Sequence, residues 1–222
     1  MNELVSYLIS ERNFKQQSLI IGITGNIGVG KTYISNKITT FLTDEGYEVT
    51  LMSIASPLKK LIQHIGFVLK NSDIPTEDDF VFFQDKELIK QILNHEDHNQ
   101  INRILKECDG NWRCLAQKIG EYVRKTKDPC FWIDNLIQRI ESIENNIDFI
   151  IIPDVRYLNE YQRLKERFQD RYVQIRIVRP LDDILKSLGI TKDKYLQMLN
   201  HESEKEINLI PTDFEINNVK EV

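Results

Sequence analysis

Short runs of branched apolar residues alternate along the chain with longer stretches whose apolar positions fall three and four apart. Period two and continuous apolar runs read as strand, and the wider spacing reads as helix. Leu19-Ile20-Ile21-Gly22-Ile23 is a buried-strand run, and Tyr33 to Leu42 follows as a helix with Ile34, Ile38, Phe41 and Leu42 on one face. Gly46 offers a C-terminal stop, and Glu48 to Ile54 is the second strand. Ser56 can cap, and Pro57 can start, a helix running through Leu69. Asp148 to Pro153, Tyr172 to Val178 and Phe214 to Asn217 are three further strands. Asn159 to Phe168 reads as a helix between the first two, and Leu181 to Leu188 and Lys192 to Leu199 as short helices split by Gly189. The N-terminal stretch predicts one short amphipathic helix.

Between the second and third strands the pattern is helical throughout, from about 71 to 145. After the polar connector Asn71 to Asp79 come Phe80 to Leu93, Gln100 to Lys106, Trp112 to Arg124 and Cys130 to Ile143. Asn94-His95-Glu96-Asp97-His98-Asn99 reads as a polar loop, and Asp109-Gly110-Asn111 as a turn. A crossover needs fewer residues, so this span reads as a substrate-binding insertion. Strands alternating with helices imply a parallel sheet covered on both faces. The expectation is one domain over 1–222, with a core at about 18–70 and 146–222.

Gly25-Asn26-Ile27-Gly28-Val29-Gly30-Lys31-Thr32 links the first strand to the first long helix and fits G-x-x-x-x-G-K-[ST], the phosphate-binding loop. The glycines let the backbone curl around a triphosphate. The amides of Gly28 to Thr32 are expected to point inward at the helix N-terminus. Lys31 reaches the β- and γ-phosphates, and the Thr32 hydroxyl suits Mg²⁺. With the alternating strands and helices, the expected fold class is α/β, a three-layer P-loop NTPase fold with a five-stranded parallel sheet, helices on both faces and a helical insertion. A plain glycine-rich turn would account for the glycines but not for Lys and Thr directly after them. In such sheets ligands lie at the carboxyl ends of the strands, where Thr24-Gly25, Ala55-Ser56, Asp154, Arg179 and Asn217 all fall.

Composition narrows the choice. The chain has 222 residues with 29 Lys plus Arg against 34 Asp plus Glu, a net charge of -5. That balance argues against a nucleic-acid-coating protein. No apolar run approaches the ~18 residues of a membrane span, and the N-terminus lacks an apolar segment of signal-peptide length. Cys108, Cys114 and Cys130 fit no zinc or redox spacing, so free thiols in a reducing, cytoplasmic setting are expected.

Asp154, at the end of the most apolar strand, sits where a Mg²⁺-organising acid is expected; the bland reading is a carboxylate capping the next turn. Arg124, Arg156 and Arg179 lie at element ends, and the arginine fork matches phosphoryl oxygens; each is otherwise a solvated or ion-paired group. Lys59 and Lys60 divide between phosphate binding and solvation. Trp112 and Trp132 fall on apolar helical faces, where core packing is the default. His95-Glu96-Asp97-His98 lacks further spaced ligands. No Ser/His/Asp arrangement is recognisable. A monophosphate acceptor, with its second pKa near about 6, needs no general base; alignment and charge neutralisation suffice.

Several separated motifs together resemble the bacteriophage-type deoxynucleoside monophosphate kinases, a branch of the P-loop kinases. They are Ala55-Ser56-Pro57-Leu58-Lys59, Gln117-Lys118-Ile119-Gly120 with Arg124, and Asp128-Pro129-Cys130-Phe131-Trp132. Asp154-Val155-Arg156-Tyr157-Leu158-Asn159-Glu160, Arg179-Pro180, His201-Glu202-Ser203-Glu204 and Asp213-Phe214-Glu215-Ile216-Asn217 follow in the family's order. The resemblance implies transfer of the ATP γ-phosphate to a deoxynucleoside monophosphate. Gly25, Asn26, Gly28, Val29, Gly30, Lys31 and Thr32 would hold ATP, with Arg179 approaching it at a lid over about 180–205. Lys59, Arg124, Trp132, Asp154 and Arg156 would line the acceptor side. Thr32 and Asp154 would serve Mg²⁺, and Lys31, Asp154 and Arg156 would be catalytic. Partners would be small nucleotides, with no nucleic-acid polymer and no membrane; a homodimer is left open.

Two departures stand out. No arginine follows Pro180, so Lys186, Lys192, Lys194 or Lys205 would have to close the lid. Asn217-Asn218-Val219-Lys220 lacks the family's Gly-Thr after the last strand. Two other readings stay open: another small-molecule kinase, such as one for phosphomevalonate, and a nucleotide-binding module without transfer. The guanine signature Asn-Lys-x-Asp is absent, since Asn36-Lys37 is followed by Ile38-Thr39.

Overall fold

A computed structural model describes residues 2–71 and 95–219, with side chains placed for 3–63 and 99–219. Phe80 to Leu93, read above as a helix, lies outside the described residues. The chain divides into two compact units, Met1–Ile54 with Ile133–Val222, and Ala55–Trp132. The second unit takes in the helix beginning at Ser56, and residues 133–145 go with the first unit. The insertion expected at about 71–145 overlaps this second unit.

The first unit is built on a five-stranded, all-parallel sheet. The strands are β1 (Leu19–Thr24), β2 (Val49–Leu51), β3 (Phe149–Ile152), β4 (Tyr172–Val178) and β5 (Phe214–Asn217), in the order β2-β3-β1-β4-β5. β1 lies between β3 and β4, pairing Ile21 with Ile151 on one side and Val173 on the other. All six of its residues are buried, as expected of a central parallel strand with both faces covered. Leu19, Ile21 and Ile23 join Phe149, Ile151, Val173 and Ile175 in one core. Helices α1 (Asn2–Lys15) and α2 (Lys31–Asp44) pack there through Leu4, Val5, Leu8, Ile34, Ile38 and Leu42. The opposite face carries Ile20, Ile150, Ile152, Tyr172 and Gln174, all buried.

On that second face Gly22 admits a close approach. A Cβ there would fall 2.1 Å from the Tyr172 hydroxyl and 2.6 Å from Gln174 Oε1. The Tyr172 hydroxyl donates to Gln174 Oε1, so a buried polar pair is paid for by the missing side chain of the neighbouring strand. Burial pushes the Tyr172 phenol well above its ordinary value, keeping it a donor. At the amino end of the sheet Arg12 pairs with Asp148 at 2.5 Å, and the other Asp148 oxygen accepts the Glu48 N–H at 2.9 Å. One carboxylate thereby ties α1 to the start of the β2–β3 ladder.

The second unit holds helices α3 (Ser56–Asn71), α4 (His95–Cys108) and α5 (Trp112–Thr126). Helix α6 (Phe131–Glu141) begins at its end and continues into the first unit. Asn111 caps α5, its side chain accepting from Cys114 N–H at 3.0 Å. Asp128 opens α6, its carboxylate accepting the Cys130 N–H at 2.6 Å. Two expectations are corrected here. His95 to Asn99 belongs to α4 rather than to a loop; a short run of polar residues carries no apolar spacing that would separate helix from loop. Cys108 and Cys114 form a disulfide instead of being free thiols, and Cys130 is the free one. Asp109-Gly110-Asn111 explains the pairing: Asp109 and Gly110 take positive φ values of 44° and 72°. That tight reversal brings the end of α4 back on the start of α5, with the two Cα atoms 5.5 Å apart.

The remaining helices of the first unit are α7 (Leu158–Phe168), α8 (Leu181–Leu188), α9 (Lys192–Leu199) and α10 (Glu202–Glu206). Arg163 and Arg167 of α7 pair with Asp134 and Glu141 of α6. No described helix is long and apolar enough to cross a membrane.

Candidate phosphate-binding site

The loop Gly25 to Gly30 leaves the carboxyl end of the central strand and enters α2 at Lys31. Gly30 precedes the helix with φ 93°, in the region that favours glycine. A Cβ at Gly30 would also stand 2.3 Å from Asn218 Nδ2. Gly25 has φ 141°, and a Cβ there would be 2.4 Å from the Ile177 carbonyl oxygen. Backbone angle and space both exclude side chains at these two positions. Val29 is buried in the core beneath the loop. Thr32, in the first turn of α2, is exposed.

Lys31 folds back over its own loop. Its Nζ donates to the Gly25 carbonyl at 2.5 Å and to the Asn26 carbonyl at 3.0 Å. Burial pulls its pKa down to about 8; Arg156 adds to the fall, while Glu204 and Asp154 oppose it. Four ionisable groups from separated parts of the chain thus share one electrostatic neighbourhood; Lys31, Asp154 and Arg156 were expected there, and Glu204 was not.

Asp154 is anchored from two directions. Its Oδ2 accepts the Ser53 hydroxyl at 2.6 Å and its Oδ1 accepts the Ile54 N–H at 3.0 Å. Both partners follow β2, so the carboxylate bridges the ends of β2 and β3. Arg156 is fixed at its backbone by Glu160, whose Oε2 accepts both the Arg156 and Tyr157 N–H groups. Its guanidinium donates to Glu204 Oε1 at 3.1 Å. The Glu204 side chain is 2% exposed, and its other oxygen accepts the Ile27 N–H at 2.9 Å. Glu206, on the same short helix, accepts the Leu158 N–H at 2.9 Å. His201 opens that helix by accepting the Ser203 N–H. Helix α10 is therefore joined to both the glycine-rich loop and the turn after β3.

Arg179 follows β4. Its NH1 contacts the Ser187 hydroxyl at 3.2 Å and lies 3.5 Å from the Gly28 carbonyl. Of the expected residues, Gly25, Asn26, Gly28, Val29, Gly30, Lys31, Thr32, Asp154, Arg156 and Arg179 all belong to the first unit. The structure brings Lys31, Asp154 and Arg156 together and sets Arg179 against the loop itself.

Lys59, Arg124 and Trp132 belong to the second unit. Lys59 is exposed on the first turn of α3. Trp132 is buried and its indole N–H donates to the Gly120 carbonyl at 3.2 Å, which is the core role that its apolar helical face suggested. Arg124 lies over Gly120, where a Cβ would be 3.7 Å from its NH1.

Ser53, Tyr195 and Glu206 contribute here without having been singled out in the sequence, and Glu204 and Asn218 stood there only inside longer segments. Their common signal is position: each lies just past a strand end or inside the 180–206 segment, where polar groups can turn toward the loop. Oxygen donors on Thr32 and Asp154 fit a hard divalent cation such as Mg²⁺. Among the described residues there is no cluster of His, Cys, Asp and Glu of the kind that holds a metal on protein ligands alone. No protein-family model matches the chain, and no curated protein matches it.

Proposed function

We propose that this protein is a P-loop kinase that transfers the γ-phosphoryl group of ATP to the 5′-phosphate of a deoxynucleoside monophosphate. The observation that carries the reading is the gathering of Lys31, Asp154 and Arg156 around a glycine-rich loop at the end of the central strand. A parallel sheet with β1 flanked by β3 and β4, and the loop directly after β1, supports a P-loop NTPase fold. The acceptor follows from the family resemblance of the ordered motifs between Ala55 and Asn217.

The residues divide the work by chemistry. Loop amides and the α2 N-terminus receive polyphosphate oxygens. Lys31, now spent on two carbonyls of its own loop, exchanges them for phosphoryl oxygens, a stronger charge-assisted pairing. Arg156 supplies a planar fork beside it. Thr32 and Asp154 would hold Mg²⁺, which would neutralise charge between the transferring groups. Asp154 is pre-aligned by Ser53 and Ile54, so little reorganisation accompanies the transfer. The acceptor oxygen is already anionic at neutral pH, and no base is required. Lys59 and Arg124 would serve the acceptor phosphate.

The test is a coupled ADP assay with ATP and Mg²⁺ over a panel of deoxynucleoside and ribonucleoside monophosphates. Turnover on at least one deoxy acceptor is expected, with loss in Arg156→Ala. Failure on the whole panel sinks the acceptor assignment, and turnover on phosphomevalonate instead would reassign the enzyme within the same superfamily.

A further inference from the structure

The glycine-rich loop is held from outside by side chains far away in sequence. Ile27 is gripped at both of its peptide groups: Glu204 accepts its N–H at 2.9 Å, and the Tyr195 hydroxyl donates to its carbonyl at 3.1 Å. Two residues on, Asn218 Nδ2 donates to the Val29 carbonyl at 2.8 Å. A carbonyl and the N–H of the following residue lie in one plane and point in opposite directions. Fixing the Ile27 and Val29 carbonyls toward Tyr195 and Asn218 therefore turns the Gly28 and Gly30 N–H groups to the other side, as an anion-binding concavity demands.

We propose that Tyr195, Glu204 and Asn218 are positioning residues that preform the phosphate cradle, holding its amides in the nucleotide-binding orientation before ATP arrives. Each is suited to the task. Tyr195 is 4% exposed, and burial beside Glu204 raises its phenol above the ordinary value, so it remains a donor. Glu204 is almost fully buried, and between the Ile27 amide and Arg156 both of its oxygens are engaged. Asn218 reaches Val29 across a gap that exists only because Gly30 has no side chain. This inference rests on the reading of Gly25 to Thr32 as a phosphate site, but not on the identity of the acceptor.

Two substitutions test it with little change of shape. Tyr195→Phe removes one hydroxyl. Asn218→Asp keeps the size of the side chain but presents an oxygen to the Val29 carbonyl where a donor stood. Calorimetric titration of each variant with MgATP, and separately with inorganic tripolyphosphate, reads the cradle directly. About a 3- to 10-fold weakening is expected for Tyr195→Phe, the loss of one hydrogen bond, and about 10-fold or more for Asn218→Asp, where a repulsion replaces it. The fold-change should be alike for the two ligands, because neither adenine nor ribose contacts are touched, and KM for the acceptor should not move. Melting of the ligand-free proteins checks folding, and Tyr195→Phe carries the test if Asn218→Asp does not fold. Wild-type affinity for both ligands in a folded Tyr195→Phe overturns the proposal. Wild-type protein that binds neither ligand overturns it together with the phosphate-site reading. Wild-type protein that binds both ligands but phosphorylates no acceptor, with weakened variants, upholds the proposal and removes only the kinase assignment.

Discussion

Replacing Lys31 with methionine keeps the aliphatic stem and deletes the charge, which isolates what the loop spends to hold an ammonium group. The Lys31 pKa falls from 10.5 to about 8. The difference, 10.5 − 8 = 2.5, at ~1.36 kcal/mol per pH unit sets the cost of the charged form at ~3 kcal/mol. The folded value lies below the unfolded one, so between them the unfolded chain binds the proton and the folded chain does not. Stability should therefore rise with pH across that window by up to ~1.4 kcal/mol per unit. The full penalty is present below about 8 and is relieved as pH climbs toward the unfolded value. Without nucleotide, Lys31→Met should be more stable than wild type at neutral pH, and that advantage should shrink by ~2 kcal/mol between about pH 7 and pH 9.5. Urea unfolding of both proteins at a series of pH values measures it. Methionine also forfeits the bonds to the Gly25 and Asn26 carbonyls, so the slope of the difference is more telling than its size at one pH. A difference that stays flat over this range would refute the account of Lys31 as a buried, destabilising cation.

Asp154→Asn should lower kcat by about 100-fold or more with little change in melting temperature, since the amide oxygen can still accept the Ile54 N–H and the amide NH2 can donate to the Ser53 hydroxyl oxygen; parallel kinetics and calorimetry check this. Gly22→Ala should destabilise by about 1–3 kcal/mol because its Cβ meets the Tyr172 hydroxyl at 2.1 Å; Gly22→Ala with Tyr172→Phe should recover part of the loss in chemical denaturation. Opening the Cys108–Cys114 bridge, which closes a sequence separation of 6 residues, should cost about 2 kcal/mol on the chain-entropy estimate, read as a shift in urea midpoint on reduction or in Cys108→Ser with Cys114→Ser.

Sheet and loop were legible because each depends on local pattern. Leu19–Ile23 and Asp148–Pro153 are apolar without alternation, which only strands covered on both faces require, and the Gly25–Thr32 spacing fixes a backbone shape. Phe214–Asn217 alternates in burial, as an edge strand does. Asp154, Arg156 and Arg179 were recognisable because strand ends in a parallel sheet share one edge. What escaped were interactions that depend on which far segments meet. Nothing local marks Tyr195 as a donor to Ile27, since a tyrosine at helical spacing reads equally well as core. Asn218 follows the last strand in a segment whose local pattern gives no sign of the Val29 carbonyl it reaches. The disulfide escaped because five residues between cysteines fit no familiar spacing, and only the paired positive φ values of Asp109 and Gly110 bring the sulfurs together. His95 to Asn99 reads as loop because a short run of polar residues looks the same in a loop and in a helix.

Helices α9 and α10 hold the glycine-rich loop through Tyr195 and Glu204, and that contact has a thermodynamic corollary. If the segment from Thr191 to Glu206 occupies more than one arrangement, only those that keep these bonds present a finished cradle. Nucleotide affinity and the position of the segment are then linked quantities, and the factor by which one shifts the other must be the same in both directions. A substitution on the outer surface of α9, far from any phosphate, could tune ATP binding without touching it. Equally, the degree to which ATP stiffens this segment, read by hydrogen exchange at its amides, would measure the coupling from the other side.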